Sequence, residues 1–93
     1  MTFDKYIRTT LSKEDYEQLE KYLGCSPHRK TKILRNPPMA NNREILLLAS
    51  LLETSAIELI EEYQLGKDQL APIEVENHRE FNSIKMKLNN STP

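Results

Sequence analysis

The residues best suited to chemistry lie in one stretch, Gly24 to Pro38, which reads GCSPHRKTKILRNPP. It holds the only cysteine of the chain, one of its two histidines, four Lys or Arg, three prolines and no acid. Cysteine and histidine are metal ligands, whereas a row of cations is suited to nucleic-acid phosphates. The stretch could therefore bind a metal or bind nucleic acid, and the third interpretation is that it forms a solvated helix between two turns.

Metal binding and catalysis are both weakly supported by these residue types. Cys25 and His28 have a ligand-like spacing, but a structural zinc site needs four ligands and only His78 remains as a further nitrogen ligand. The chain carries no glycine-rich phosphate loop and no local signature of an activated nucleophile. We therefore predict that the protein is not an enzyme and holds no metal or cofactor.

Length and composition predict one small soluble domain. The chain has 93 residues, of which 38% are hydrophobic and 29% charged. It contains no apolar run near the roughly 20 residues that cross a bilayer, and its first residues do not form a signal-peptide core. A single cysteine is typical of a reducing compartment. We expect a cytoplasmic protein that does not associate with membranes.

The net charge of −1 conceals an asymmetry along the chain. Residues 1–35 hold eight Lys or Arg against five acids, while residues 36–93 hold five against nine. The chain has no acid between residues 21 and 43. Nucleic-acid binding is therefore indicated by this local segment and not by the total charge.

The elements that would position this segment are helices. Ser12 is a predicted N-cap with Asp15 three residues on, and Gly24 predicts the end of that helix. Ser26 and Pro27 predict a new start almost at once, and Asn36, which precedes two prolines, predicts its end. Two further helices are indicated by NNREILLLASLLETS and by SAIELIEEYQLG, the latter with a Ser55–Glu58 capping box and Gly66 as terminator.

The two ends of the chain have weaker signals. Residues 3–11 fit either a short helix or a strand, and we favour the helix. After Gly66, Pro72 and the alternation of Ile73 and Val75 indicate a loop or extended arm. Residues 77–88 can form a last helix, and the final five residues are expected to be disordered. We therefore divide the chain into a domain, 1–66, and a C-terminal arm or extra helix, 67–93.

The helix that starts at Pro27 has a cationic side. Ile33 and Leu34 define its inward direction at about 100° per residue. The opposite side then carries His28, Lys32 and Arg35, at positions i, i+4 and i+7. Arg29 lies beside them. We expect this side to offer donors to phosphates and base edges, with Ser26 and the helix N-terminus suited to a phosphate oxygen. An ordinary solvated side remains the alternative.

The run from Leu19 to Tyr63 resembles the helix-turn-helix domain of the Cro and phage-repressor type. It shares a helix that ends in Leu-Gly, a Ser that starts the next helix, and an apolar helix followed by LLETSAIELIEEY. The resemblance implies an all-α, compact five-helix fold whose third helix enters the major groove of double-stranded DNA. It also implies transcriptional regulation by a homodimer that reads two half-sites. The residues that would contact DNA are Ser26, His28, Arg29, Lys32 and Arg35.

Two residues depart from the pattern of that family. Glu20 replaces the usual Ala four residues before the turn glycine, and Lys30 replaces the usual Val or Ile six residues after it. We hypothesise that Glu20 and Lys30 pair across the helix junction, with the lysine stem on apolar surface. Alternatively, the helices pack at another angle and the chain is a protein-interaction module without DNA binding.

A second, weaker resemblance concerns residues 6–22. YIRTTLSKEDYEQLEKY is similar to the strand and helix that open ribbon-helix-helix repressors. In that arrangement Ile7, Thr9 and Leu11 would face the core, and Arg8 and Thr10 would face DNA. The long helical remainder of the chain does not fit so small a fold.

Overall fold

A computed structural model of the protein describes residues 1–80. Within this part of the chain every regular element is helical, so the predicted all-α class is confirmed. We number the helices in chain order. The last helix begins at residue 72 and is described as far as residue 80. The helices are α1 (Phe3–Thr10), α2 (Lys13–Glu17), α3 (Leu19–Leu23), α4 (Pro27–Arg35), a 3-10 helix (Pro37–Met39), α5 (Asn42–Leu52), α6 (Ala56–Tyr63) and α7 (72–80).

The ambiguous start of the chain is helix α1. The Thr2 hydroxyl caps it by accepting a hydrogen bond from the Lys5 N–H at 3.2 Å. Phe3 and Ile7, four residues apart on one side, are buried. The strand required by the ribbon-helix-helix alternative is thus replaced by a helix, and that alternative is wrong.

The predicted helix between Ser12 and Gly24 is present but is divided. Ser12 is its N-cap and accepts a hydrogen bond from the Asp15 N–H at 3.1 Å, as predicted. Gln18, with φ −93° and ψ 6°, separates α2 from α3. Gly24 ends α3 in the left-handed conformation at φ 67°, a region that glycine enters without steric cost.

Helix α4 has the predicted limits. Ser26 caps it by accepting the Arg29 N–H at 3.1 Å, and Pro27 occupies its first turn, where a missing N–H costs nothing. It ends before Asn36, and the following prolines form a 3-10 turn. Ile33 and Leu34, the predicted inward residues, are buried.

Helices α5 and α6 supply much of the core. The α5 residues Ile45 and Leu48 and the α6 residue Leu59 are fully buried. Ser55 accepts the Glu58 N–H at 3.2 Å and caps α6. The predicted end of α6 at Gly66 is wrong, because Gln64 already leaves the helix at φ 61°.

The turn after α6 joins the C-terminal residues to the rest of the molecule. The Gly66 N–H donates to the Pro37 carbonyl and the Asp68 N–H to the Pro38 carbonyl, both at 3.1 Å. Gly66 has φ 73°, and a Cβ there would lie 2.7 Å from a methyl of Ile45, so the turn approaches α5 closely.

The loop or extended arm predicted for residues 67–78 is only partly present. Residues from 72 onward are helical, because Pro72 stands in the first turn of a helix, where proline is favoured, and does not act as a breaker. The Glu74 carboxylate accepts the Ala71 N–H at 2.7 Å and caps this start. A last helix was predicted for residues 77–88, and residues 77–80 are helical. Residues 81–88 of that prediction, and the end predicted to be disordered, lie outside the described residues.

Candidate nucleic-acid interface

One side of α4 carries three exposed residues with nitrogen-bearing side chains. His28, Lys32 and Arg35 lie at i, i+4 and i+7, opposite the buried Ile33 and Leu34, as the helical projection predicts. Within residues 1–80 none of the three side chains makes a hydrogen bond or an ion pair. We call these three residues the α4 face. Their donors are available to an external anion.

The N-terminus of α4 opens beside this face. Ser26 is exposed, and its oxygen is engaged by the Arg29 N–H, which leaves the hydroxyl hydrogen as a donor. The first turn of a helix also presents N–H groups and the positive end of the helix dipole. Ser26 and the α4 face therefore present donors along one helix of nine residues.

Arg29, the fifth predicted DNA contact, is half-buried and pairs with a carboxylate of the protein itself. Its Nε donates to Glu44 Oε2 at 2.9 Å and its Nη2 to Glu44 Oε1 at 2.7 Å. Nη2 also donates to the Met39 carbonyl at 3.2 Å. The guanidinium thereby joins the first turn of α4 to the first turn of α5 and to the turn between them.

Glu44 is the acceptor at the centre of this contact, and its side chain is only 5% exposed. Besides binding Arg29, Oε1 accepts the Asn41 N–H at 2.9 Å, while the Glu44 N–H donates to Asn41 Oδ1 at 2.8 Å. This reciprocal pair is a complete capping box at the start of α5. Both oxygens of a buried carboxylate are thus satisfied.

The pKa of Glu44 reflects two opposing influences. Burial is the largest single one and acts to raise the pKa. The hydrogen bonds from Arg29 and the Asn41 N–H, with the charges of Arg29 and Arg43, together outweigh it. The pKa therefore lies below its ordinary value, and the carboxylate is ionised at neutral pH.

The predicted pair between Glu20 and Lys30 is present. Lys30 Nζ lies 3.5 Å from Glu20 Oε1 across the junction of α3 and α4. The same ammonium lies 5.3 Å from the ring centroid of Tyr16, and the Arg8 guanidinium lies 5.3 Å from that ring as well. Glu20 Oε2 is buried and has no hydrogen-bond partner among the described residues.

Arg43 is a contact that the sequence reasoning did not identify. Its Nη1 donates to the Leu23 carbonyl at 3.1 Å, which satisfies an acceptor left free at the end of α3. Its Nη2 lies 3.2 Å from the position that a Cβ on Gly24 would occupy. Because Gly24 has no side chain, it can adopt the left-handed turn and also leaves room for the Arg43 guanidinium to pack against it.

Cys25 and the two histidines lie in different environments. Cys25 is half-buried, and burial raises the pKa of its thiol, which lowers its reactivity at neutral pH. His28 is exposed on α4, whereas His78 is buried on α7, where burial lowers the pKa of its imidazole. Residues 1–80 contain no group of three or more His, Cys, Asp or Glu placed to hold a metal ion.

Known proteins give no further guide to this site. The chain matches no model of a protein family, no curated protein and no solved structure. The resemblance to helix-turn-helix domains thus depends on the residues of the chain themselves. Among the described helices none has the length and apolar character needed to cross a membrane.

Proposed function

We propose that the protein binds double-stranded DNA in a sequence-specific way through the α4 face and acts as a transcriptional regulator. One observation carries the proposal: α4 holds two cations inward on carboxylates and presents three other nitrogen-bearing side chains to solvent. A helix fixed on its inner side and cationic on its outer side is the form in which proteins insert a helix into the major groove.

The proposed fold assignment is a helix-turn-helix domain of five helices. In it α2 and α3 together are the second helix and α4 is the third, with α1, α5 and α6 around them. The left-handed Gly24 and the Ser26 cap, two residues apart, support a short turn between the two helices of the motif. In this arrangement α4 enters the major groove and α2–α3 crosses the phosphate backbone.

The proposed roles divide among the predicted residues. Lys32 and Arg35 contact phosphates and base edges, and His28 contributes a further donor near the start of the helix. Ser26 anchors the N-terminus of α4 on a phosphate. Arg29 supports the interface indirectly, because its guanidinium holds α4 on Glu44.

A homodimer that reads two half-sites about one helical turn apart remains part of the proposal, by resemblance to the family. The measurement that separates DNA binding from a protein-interaction module is a salt titration with random duplex DNA. Neutralisation of phosphates by the two free cations, Lys32 and Arg35, predicts a loss of affinity of about twelvefold for each bound chain between about 50 and 200 mM salt. The absence of binding at the lowest salt would rule out the DNA function and leave the interaction module.

A further inference from the structure

Helix α7 is attached to α6 by contacts that are themselves exposed. Arg79 Nη2 lies 2.6 Å from Glu61 Oε1 of α6, and both side chains are about half exposed, so solvent screens this pair. Val75 and Ile60 of α6 line the same open apolar groove, and both are only partly buried. The attachment of α7 therefore depends on what the helix buries elsewhere.

His78 is the residue that α7 buries. It is only 3% exposed, and within residues 72–80 it is the one buried residue. It lies where α7 meets the first half of α5, and it lines a small pocket with Asn42 and Leu46 of that helix. Its Nε2 is buried and has no hydrogen-bond partner among the described residues. Such a site accepts a neutral imidazole far better than a charged one.

The charge of Glu74 acts on His78 from within α7, one turn earlier in the helix. Its carboxylate acts to raise the pKa of His78, whereas burial, the larger influence, acts to lower it. One oxygen of Glu74 is also engaged by the Ala71 N–H at 2.7 Å. The pKa of His78 therefore lies below its ordinary value of 6.5, and the imidazole is neutral at pH 7.

The helices against which α7 packs offer no charge that would stabilise a protonated His78. On α5, Arg43 and Glu44 are bound to groups of α3 and α4. On α6, Glu61 is paired with Arg79. Within residues 1–80, no charged group of α5 or α6 contributes to the pKa of His78. A proton added to this residue therefore stays uncompensated while α7 is docked.

The rest of the fold does not depend on α7. Within the described residues, none of the buried apolar side chains that form the core lies on this helix. The turn before it is fixed independently, because the N–H groups of Gly66 and Asp68 donate to the Pro37 and Pro38 carbonyls. α7 can therefore separate from α5 and α6 while the core remains closed.

We propose that α7 is released from α5 and α6 on acidification, with protonation of His78 as the trigger. In the released helix the imidazole is solvated and titrates near 6.5, whereas in the docked helix it stays neutral to a lower pH. Docking is therefore complete above about pH 6.5, and its equilibrium constant falls by up to about tenfold for each pH unit below that value, until the docked imidazole is also protonated. The switch is independent of DNA binding, because it does not involve α4.

Amide hydrogen exchange of the full chain at pH 7.5 and 5.5 tests this proposal. After correction for intrinsic exchange rates, the protection of α7 amides is expected to fall several-fold at the lower pH, by no more than about tenfold. At both pH values α7 amides are expected to be less protected than those of α5, because α7 opens without the core.

Two matched variants assign the effect to His78. His78→Phe keeps an aromatic ring that binds no proton, and α7 protection in this variant is expected to be the same at both pH values. His28→Phe makes the same change at the exposed histidine of α4 and is expected to keep the pH response of the parent. If His78→Phe does not fold, an NMR titration of the parent replaces it, and the His78 imidazole is expected to titrate below 6.5.

Each measurement can also overturn the switch. Unchanged α7 protection between the two pH values, or an equal fall in His78→Phe, would show that His78 does not control docking. Amides of α7 that are as protected as those of α5 would show that α7 opens only with the whole chain. A His78 imidazole that titrates at or above 6.5 would remove the trigger.

Discussion

Two adjacent residues of α4, Arg29 and Lys30, each pair with a carboxylate on a different neighbouring helix. Arg29 binds both oxygens of Glu44 on α5 at 2.7 and 2.9 Å, and the Glu44 side chain is 5% exposed. Lys30 approaches one oxygen of Glu20 on α3 at 3.5 Å, where the Glu20 side chain is 26% exposed. The first pair is bidentate and has a buried carboxylate, and the second has a single contact to a carboxylate that is only half-buried.

The difference shows how α4 is held. The planar guanidinium matches both oxygens of a carboxylate and so fixes direction as well as distance. A lysine ammonium is a point charge on a flexible stem, and a partly exposed pair of this kind contributes little. We infer that Glu44 determines the position of α4 relative to α5, whereas Glu20 accommodates the charge of Lys30.

The largest expected effect is that of removing the buried carboxylate. Glu44→Ala leaves the Arg29 guanidinium without its main acceptor and breaks the capping box of α5, so we expect the free energy of unfolding to fall by about 2–3 kcal/mol. Glu20→Ala, the same change at the pair with a single contact, is expected to cost less than about 1 kcal/mol. Urea denaturation measures both, and equal losses would contradict the comparison.

The pH dependence of stability is the next test of the contact between Arg29 and Glu44. The folded-state pKa of Glu44 is lowered, so its contribution is complete above the ordinary value of 4.5 and is lost as pH falls through the folded pKa. We expect the unfolding free energy of the parent to decrease more between about pH 5 and 3 than that of Glu44→Gln. A parent and a Glu44→Gln variant with parallel pH curves would contradict this assignment.

The smallest expected effect concerns the coupling between Glu20 and Lys30. In a double-mutant cycle with Glu20→Ala and Lys30→Val, we expect a coupling energy of about 0–1 kcal/mol. Since Val places an apolar side chain where the Lys30 ammonium faces Tyr16, and Ala removes a buried oxygen without a partner, the double variant is expected to be about as stable as the parent. Thermal unfolding checks this, and a coupling of several kcal/mol would show that the pair anchors α4.

The parts of this structure that local sequence predicts are the ends of helices. Ser12, Gly24 and Ser26 act on N–H groups or dihedral angles within a few residues, so their roles follow from the residue type. The Glu20–Lys30 pair was predictable because both residues depart from a known motif at positions that face each other. The exposed α4 face follows from the helical period and two inward residues.

What was not predictable depends on contacts between distant residues. Arg29 and Glu44 are 15 positions apart, and their contact requires the angle between α4 and α5, which no local pattern specifies. The same is true of Arg43, which reaches the carbonyl of Leu23. Pro72 was misinterpreted for a local reason, because proline both breaks a helix and starts one. The Glu74 carboxylate, which caps the Ala71 N–H, is the feature that identifies Pro72 as a start.

The central claim is that α4 uses one side for structure and the other for DNA. The most direct test compares the salt dependence of DNA affinity in Lys32→Ala/Arg35→Ala with that in Lys5→Ala/Lys13→Ala, which removes two exposed cations from α1 and α2. We predict that the first variant reduces the magnitude of the slope of log K against log salt by about two for each bound chain at unchanged stability. The second variant is predicted to leave the slope near that of the parent. Equal slopes in both variants, or no DNA binding by the parent, would contradict it.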